Sequence, residues 1–259
     1  MRCGFFFAVT AFILLFCSIA SAADLTGDFP ANTAEEKFVK ALVNTLKPET
    51  LEVVFGGTPA PDGTLSRIYV RAHGISAGTD WRLDDVALTG SLVKLTPPDQ
   101  WDANDIKTFR PEKWEGLFNV EVVLKEADAK NALRIFMAKG GKNARKWRDL
   151  NVDFRAGSLF LSGVYSVNSG IRATFEITTG LELRSGTQIW LVDTNVRVNR
   201  DDQTDAIRSE IKKVNPPLDF SKSGIPVTLR SLSVTNDEIR VGTATPPQPF
   251  PGTTYRCKK

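Results

Sequence analysis

Few residues in this chain combine the type and spacing that catalysis requires. The best candidate is Gly74-Ile75-Ser76-Ala77-Gly78, which matches the G-x-S-x-G motif of serine hydrolases. In those enzymes the serine lies on a sharp strand-to-helix turn, and a histidine later in the chain acts as its base. Here the residues after Gly78 alternate like a strand, and the one histidine, His73, precedes the serine. We therefore interpret the motif as a glycine-rich turn between strands, with an esterase that uses Ser76 as a third hypothesis.

Residues that could bind a metal are equally sparse. One histidine and the tail cysteine Cys257 cannot form a zinc cluster. Asp201, Asp202 and Asp205 lie close together but lack the D-x-[DN]-x-[DN]-G pattern of a calcium loop, so we interpret them as favourable charges at a helix start. The chain also has no phosphate-binding loop and no dinucleotide fingerprint. The sequence predicts no metal, no cofactor and no catalytic residue.

The first 22 residues have the pattern of a signal peptide. Arg2 is followed by the apolar run Phe5–Cys17, and Ala20-Ser21-Ala22 fits the small-x-small rule for cleavage. This run is shorter than the ~20 apolar residues that a membrane span needs. We expect cleavage near Ala22 and secretion to the cell envelope, as a periplasmic or otherwise extracytoplasmic protein. An uncleaved signal anchor is the alternative.

Charge and cysteine content narrow the function classes. The full chain carries a net charge of +3, which falls to +2 without residues 1–22 because only Arg2 is lost. A nearly neutral chain gives no support for binding to nucleic acid. With Cys257 as the one cysteine left after cleavage, no internal disulfide can form. Packing must therefore supply the stability, and the oligomeric state stays open.

Three amphipathic helices are predicted from apolar residues at helical spacing. The first covers residues 31–46, where Thr33 and Glu36 form a T-x-x-E capping box. The second covers about 125–137 and ends at a pair of glycines, and the third covers 204–214 and ends before two prolines.

Between the helices, apolar and polar residues alternate with period two, as in antiparallel strands with one buried face. The strongest example is a four-strand meander over 147–198, with turns at Ala156-Gly157-Ser158, Asn168-Ser169-Gly170 and Ser185-Gly186. These patterns predict an α+β fold, a twisted antiparallel sheet packed with amphipathic helices. Further strands are predicted at 51–55, 65–73, 117–124, 227–232 and 238–241, with a hairpin over 81–95 that turns at Thr89-Gly90-Ser91.

The domain organisation predicted from these elements is simple. Residues 1–22 form the signal peptide, 23–244 a single α+β domain, and 245–259 a Pro-rich tail that is either disordered or extended. Residues 81–92 resemble 147–159 with one residue inserted. This echo indicates either an internal duplication or two independent hairpins of similar pattern.

The order of these elements resembles the LmeA-like phospholipid-binding family. The resemblance rests on Leu51–Phe55, Ile68–Ala72, Val122–Leu133 and the turn Asn215–Asp219, and it covers most of residues 33–243. It implies a half-tubular, lipid-binding-like fold and a role in binding or moving phospholipid in the cell envelope. The family has no catalytic residues to carry over. The Pro-rich tail and an Asp-rich insert at 99–105 depart from the pattern.

A helix that crosses a curved sheet can leave an apolar groove between them. Such a groove suits a lipid tail, because burial of each methylene contributes about 0.8 kcal/mol. The same spacing is equally typical of a packed core, and the sequence does not separate the two. The residues on the predicted apolar faces that are candidates for the groove are Phe38, Leu42, Leu46, Phe118, Val120, Leu133, Phe136, Phe154, Phe175 and Ile177.

The leading hypothesis is therefore a non-catalytic envelope protein that binds or transfers phospholipid or another apolar ligand. A membrane surface is a second candidate partner, and nucleic acid is not expected. The alternative is a structural or interaction protein of the envelope, with a filled core and no ligand. It would use sheet edges and the Pro-rich tail as contact surfaces.

Overall fold

A computed structural model describes residues 31–77, 81–139, 146–166, 171–222 and 226–259. The predicted signal peptide, the turn at 168–170 and the glycine pair at 140–141 lie outside the described residues. The helices are α1 (Ala34–Leu46), α2 (Glu126–Lys139) and α3 (Thr204–Val214), with short 3-10 turns at Pro98–Gln100, Ile106–Thr108 and Phe220–Lys222. The strands are β1 (Thr50–Phe55), β2 (Thr64–Ala77), β3 (Trp81–Leu95), β4 (Pro111–Trp114), β5 (Phe118–Lys125), β6 (Trp147–Arg155), β7 (Ser158–Ser166), β8 (Arg172–Arg184), β9 (Gln188–Val198), β10 (Asp201–Asp202), β11 (Leu218–Asp219), β12 (Leu229–Val234), β13 (Glu238–Thr243) and β14 (Thr253–Lys258).

The strands form two antiparallel sheets, one of which curls into a half-barrel. The first sheet has the order β12-β13-β5-β3-β2-β1-β14, with β4 beside β3. The second has the order β10-β9-β8-β7-β6, with β11 beside β9. This architecture confirms the α+β class predicted from the sequence and the half-tubular sheet that the family resemblance implied.

Helix α1 covers the apolar face of the first sheet. The predicted capping box is present, with the Glu36 N–H donating to the Thr33 hydroxyl at 3.2 Å and the Thr33 N–H donating to the Glu36 carboxylate at 2.9 Å. Phe38 of the helix packs edge-on against Phe55 of β1, and Val53, Ile75 and Leu83 of the same cluster are fully buried. We call this packed region the first core, since its cluster extends over β1, β2, β3 and both 3-10 turns near residue 100.

The prediction of a hairpin over 81–95 is wrong. Residues Trp81–Leu95 form one strand, β3, which pairs with β2 in a continuous register from Leu65↔Val93 to Ala77↔Trp81. The glycine signal marks a bend at Leu92, whose φ is +49°, near the point where the partner on the other side of β3 changes from β5 to β4. The two similar segments at 81–92 and 147–159 therefore fold differently, because the second one spans the β6–β7 turn.

The Pro-rich tail ends in an ordered strand. Strand β14 pairs antiparallel with β1, from Thr50↔Lys258 to Phe55↔Thr253. Tyr255 packs edge-on against Phe55, with ring centroids 5.9 Å apart. Cys257 packs against the first core, and this burial raises the pKa of its thiol. The end of the tail is thus extended and held in the first sheet.

The outer edge of β9 is protected by the segment that contains α3, whose predicted bounds are confirmed. Strands β10 and β11 pair with the two ends of β9. Between them, the Asn215 amide accepts from the Leu191 N–H and donates to the Leu191 carbonyl, both at 2.9 Å. The Thr204 hydroxyl accepts from the Val196 N–H at 2.9 Å. These contacts satisfy backbone groups that an exposed edge strand would offer to another chain.

Candidate functional site

The second sheet has one apolar and one polar face. Along β8, Ala173, Phe175 and Ile177 are half-buried, whereas the alternate positions Arg172 and Thr174 are exposed on the opposite face. This is the period-two pattern predicted from the sequence. An apolar face of a sheet is normally packed against other parts of the protein. The places where its residues are less buried therefore show where a ligand could bind.

One end of the apolar face is tightly packed. Val152, Phe154 and Leu159 are buried together with Ala129 of α2. Thr179 is also buried there, and its hydroxyl lies 2.7 Å from that of Thr194. We call this region the covered end of the second sheet.

Charged side chains fix α2 over the covered end. Lys130 of α2 bridges to Asp153 of β6 at 2.9 Å, and this hydrogen bond lowers the pKa of Asp153. Asp128 accepts from Arg82 of β3 at 2.9 Å. Burial raises the pKa of Asp128, against the opposing effect of Arg82. The N-terminal half of α2 is therefore tied to both sheets.

Burial falls along α2 and β6 toward the other end of the sheet. In α2 the exposed fraction rises from 0% at Ala129 to 41% at Phe136. The Phe154 N–H, near the end of β6, donates to Glu126 at the start of α2, and Lys130 one turn later bridges to Asp153, so α2 runs from the end of β6 toward its start at Trp147. Here the apolar face is half-buried, and we call it the open end, defined by Trp147, Leu161, Tyr165, Ala173, Phe175 and Ile177.

Three aromatic rings form the centre of the open end. The centroid of Trp147 lies 5.0 Å from Tyr165 and 5.5 Å from Phe175, in edge-to-face arrangements. Gly163 lies opposite Phe175 in the β7–β8 register, and the side chain of Leu150 occupies the space where a β-carbon would be. The rings hold one another in place, so the surface is formed before any ligand arrives.

The structure distributes the ten predicted groove residues over several places. Most pack in or against the buried clusters, and three lie outside them toward the open end. The groove-lining role stays a prediction for all ten. Leu46, Val120 and Phe154 are buried in clusters, Phe38, Leu42, Phe118 and Leu133 are partly buried against them, and Phe136, Phe175 and Ile177 lie toward the open end.

Sequence reasoning missed part of the open end. Leu161 and Ala173 follow the same alternation as Phe175 and share its face through the β7–β8 register, so this pattern could have identified them. Trp147 and Tyr165 sit at strand ends, where the alternation gives little information about which side chains are exposed.

The residues considered for catalysis lie in regular strands. Ser76 lies in β2 and pairs with Arg82 of β3, so the strand continues where we predicted a turn. His73 Nδ1 lies 3.1 Å from the Asp85 carboxylate. Among the residues that the structure describes, no group of three or more His, Cys, Asp or Glu side chains could hold a metal ion. Within the same residues, no helix has the length and apolar character of a membrane span.

The fold and the open end together define a class of α+β proteins in which a half-tubular antiparallel sheet presents an apolar surface. A family model described as LmeA-like phospholipid-binding matches residues 26–244, and the chain belongs to this family. The match includes every helix and strand except β14. Searches of curated proteins and of solved structures gave no match.

Proposed function

We propose that the protein binds a phospholipid in the cell envelope, with the acyl chains lying on the open end of the second sheet. One observation carries this proposal, namely the fall in burial from the covered end to the open end of a single apolar face. Membership of a family described as phospholipid-binding supports the choice of ligand.

The residues of the open end have the chemistry that an acyl chain requires. They are aliphatic and aromatic, and the half-buried ones lose contact with water when a ligand covers them. Each methylene that is buried contributes ~0.8 kcal/mol, so a chain of several methylenes can be held without any specific polar contact. Phe136 of α2 would close over the ligand from the other side.

The role we infer is binding or transfer without catalysis. The family is described by its ligand, and apart from Tyr165 the open end is lined by side chains that do not act as acids, bases or nucleophiles. The predicted signal peptide supports delivery to the periplasm or to another extracytoplasmic part of the envelope. The alternative, an interaction protein with a filled core, requires that no lipid accompany the protein.

The test is native mass spectrometry of the protein expressed as the full chain and purified without detergent, followed by solvent extraction of any bound lipid. We expect phospholipid at close to one molecule per chain. Phe175→Asp and Ile177→Asp should abolish lipid retention, because they place a carboxylate on the apolar face. Phe160→Asp is the matched control, since Phe160 is half-buried on the opposite face of the same sheet.

Circular dichroism and thermal unfolding establish that each variant is folded. Folded Phe175→Asp and Ile177→Asp variants that still retain lipid would show that the ligand lies elsewhere. A wild-type protein that carries no lipid and takes up no fluorescent phospholipid would favour the interaction protein instead.

A further inference from the structure

Basic residues lie at the strand ends beside the open end, on the opposite face of the second sheet. Lys146 precedes β6, and its carbonyl accepts from the Ser166 N–H of β7 at 2.7 Å. Ser166 in turn pairs with Arg172 of β8. Lys146 and Arg172 therefore occupy one row across three strands, with their Cα atoms roughly 10 Å apart given the ordinary spacing between strands.

A second row carries two more cations. Arg148 pairs with Val164 of β7, which pairs with Thr174 of β8. The Thr174 N–H donates to the side chain of Asn199 at 2.9 Å, and Arg200 follows Asn199 in the turn after β9. We call Lys146, Arg148, Arg172 and Arg200 the basic rim.

The cations of the basic rim are not held in ion pairs among the residues that the structure describes. All four side chains are exposed. The carboxylates within four residues of them in sequence are Asp149, Glu176, Asp201 and Asp202, and none of these is within ion-pair distance of a rim cation. At the covered end, by contrast, Lys130 is paired with Asp153.

Aromatic residues of the interfacial type lie at the same strand ends as the basic rim, on the apolar face. Trp147 and Tyr165 are both half-buried, and the Lys146 ammonium lies 5.9 Å from the centre of the Tyr165 ring. Trp and Tyr concentrate at the boundary between lipid headgroups and acyl chains, because each combines an apolar ring with a polar group. Lys and Arg near such a surface are attracted to anionic headgroups.

We propose that the open end is the docking surface of the protein on an anionic lipid bilayer. The inference rests on the proposed function and extends it, since it states how the lipid reaches the open end. The basic rim contacts the anionic headgroups, Trp147 and Tyr165 enter the interface, and the apolar face meets the leaflet edge-on. An acyl chain can then move onto Phe175 and Ile177 without crossing water.

The test is cosedimentation of the full chain with phosphatidylcholine vesicles that contain or lack phosphatidylglycerol. We expect binding only to the vesicles with phosphatidylglycerol, and weaker binding as salt is raised, because salt screens exposed charges. Reversing two rim charges in the Lys146→Glu/Arg172→Glu variant should lower the vesicle partition coefficient by at least about 25-fold, at roughly fivefold for each cation removed.

The matched control is Arg155→Glu/Arg184→Glu, which makes the same change in net charge at the covered end. Arg155 lies over Phe160 and Arg184 pairs with Glu182, both remote from the basic rim along the strands. We expect this variant to bind vesicles nearly as well as the wild type. Equal losses in the two variants, or equal binding to vesicles without phosphatidylglycerol, would overturn the docking proposal.

Lipid retention and docking are separate measurements, so the two proposals can fail independently. If the wild-type protein carries phospholipid but does not bind anionic vesicles, the proposed function holds and the docking proposal is wrong. If the protein docks through the basic rim but carries no lipid, the docking proposal holds and the proposed lipid binding is wrong.

Discussion

The first and second sheets each present an apolar face made by the same alternation of residues, yet the two faces are covered to different extents. In the first sheet, α1 packs over β1 and β2, and Val53 and Phe55 of β1 are fully buried. In the second sheet, the contacts that fix α2 among the described residues lie at the covered end, and Phe175 and Ile177 are half-buried. The difference lies in what covers the strands and not in the strands themselves.

The aromatic clusters of the two regions differ in burial in the same way. In the first core, the ring centroid of Phe38 lies 5.9 Å from that of Phe55 and 5.4 Å from that of Phe109, and both of these partners are buried. At the open end, the rings of Trp147 and Phe175 have similar edge-to-face geometry but are only partly buried. Equivalent ring contacts thus contribute to stability in one region and leave surface for a ligand in the other.

The largest expected effect comes from a matched pair of substitutions. Phe55→Ala should lower the free energy of unfolding by about 3–5 kcal/mol, because it opens a cavity in the first core. Phe175→Ala should cost less than about 2 kcal/mol, since a ring that is not fully buried leaves a smaller cavity. Urea unfolding followed by circular dichroism gives both values.

The same experiment can break the comparison. If the Phe175→Ala variant loses as much stability as Phe55→Ala, then the open end is a packed core and the surface proposed for lipid is filled by the protein itself.

Local elements of this fold could be predicted from the sequence because their signals are local. The capping box of Thr33 and Glu36 fixed the start of α1 within a few residues, and the bounds of α3 were predicted correctly. The turn at Ser185-Gly186 was also predicted, and both residues have positive φ. Each of these features depends on neighbours within a few positions.

The candidate site could be predicted only in part because burial depends on distant elements. Phe154 and Phe175 lie in strands with the same alternation, yet α2 covers the first and not the second. The long strand β3 was missed for a similar reason, since its pairing with β2 overrides the turn signal around Gly90. A period-two pattern identifies an apolar face, but it carries no information about which element packs against that face.

A second prediction concerns β14, which completes the edge of the first sheet. Removal of residues 253–259 exposes the edge of β1 and removes the contact between Tyr255 and Phe55. We therefore expect the free energy of unfolding to fall by about 2 kcal/mol or more. Thermal unfolding checks this value, with Arg256→Ala as a control because that side chain is largely exposed and pairs only at the surface with Glu52.

The truncation also sharpens the contrast between the sheets. Since β14 belongs to the first sheet, the truncated protein should keep its lipid when assayed at a temperature where it is folded. Loss of lipid without loss of stability would mean that the C-terminal strand, and not the open end, contributes to the ligand site.

The smallest expected effect is a dependence on pH at the attachment of α2. The hydrogen bond from Lys130 holds the pKa of Asp153 below the ordinary value of an aspartate. A carboxylate with a lowered folded-state pKa stabilises the protein above its unfolded pKa, and this contribution is lost as the pH falls through the lowered value. Asp153→Asn should therefore reduce the free energy of unfolding by less than about 1 kcal/mol at neutral pH and by nothing in strong acid.

Amide hydrogen exchange shows which helix is loosened by the Asp153→Asn substitution. At neutral pH, Asp153→Asn should speed exchange in α2, which Lys130 ties to β6, and leave α1 unchanged, because α1 is held by apolar contacts in the first core. Equal acceleration in both helices would mean that the molecule opens as one unit. An effect confined to α2 would mean that the helix beside the open end can loosen while the first core stays closed, which is the property that a lipid needs in order to enter and leave.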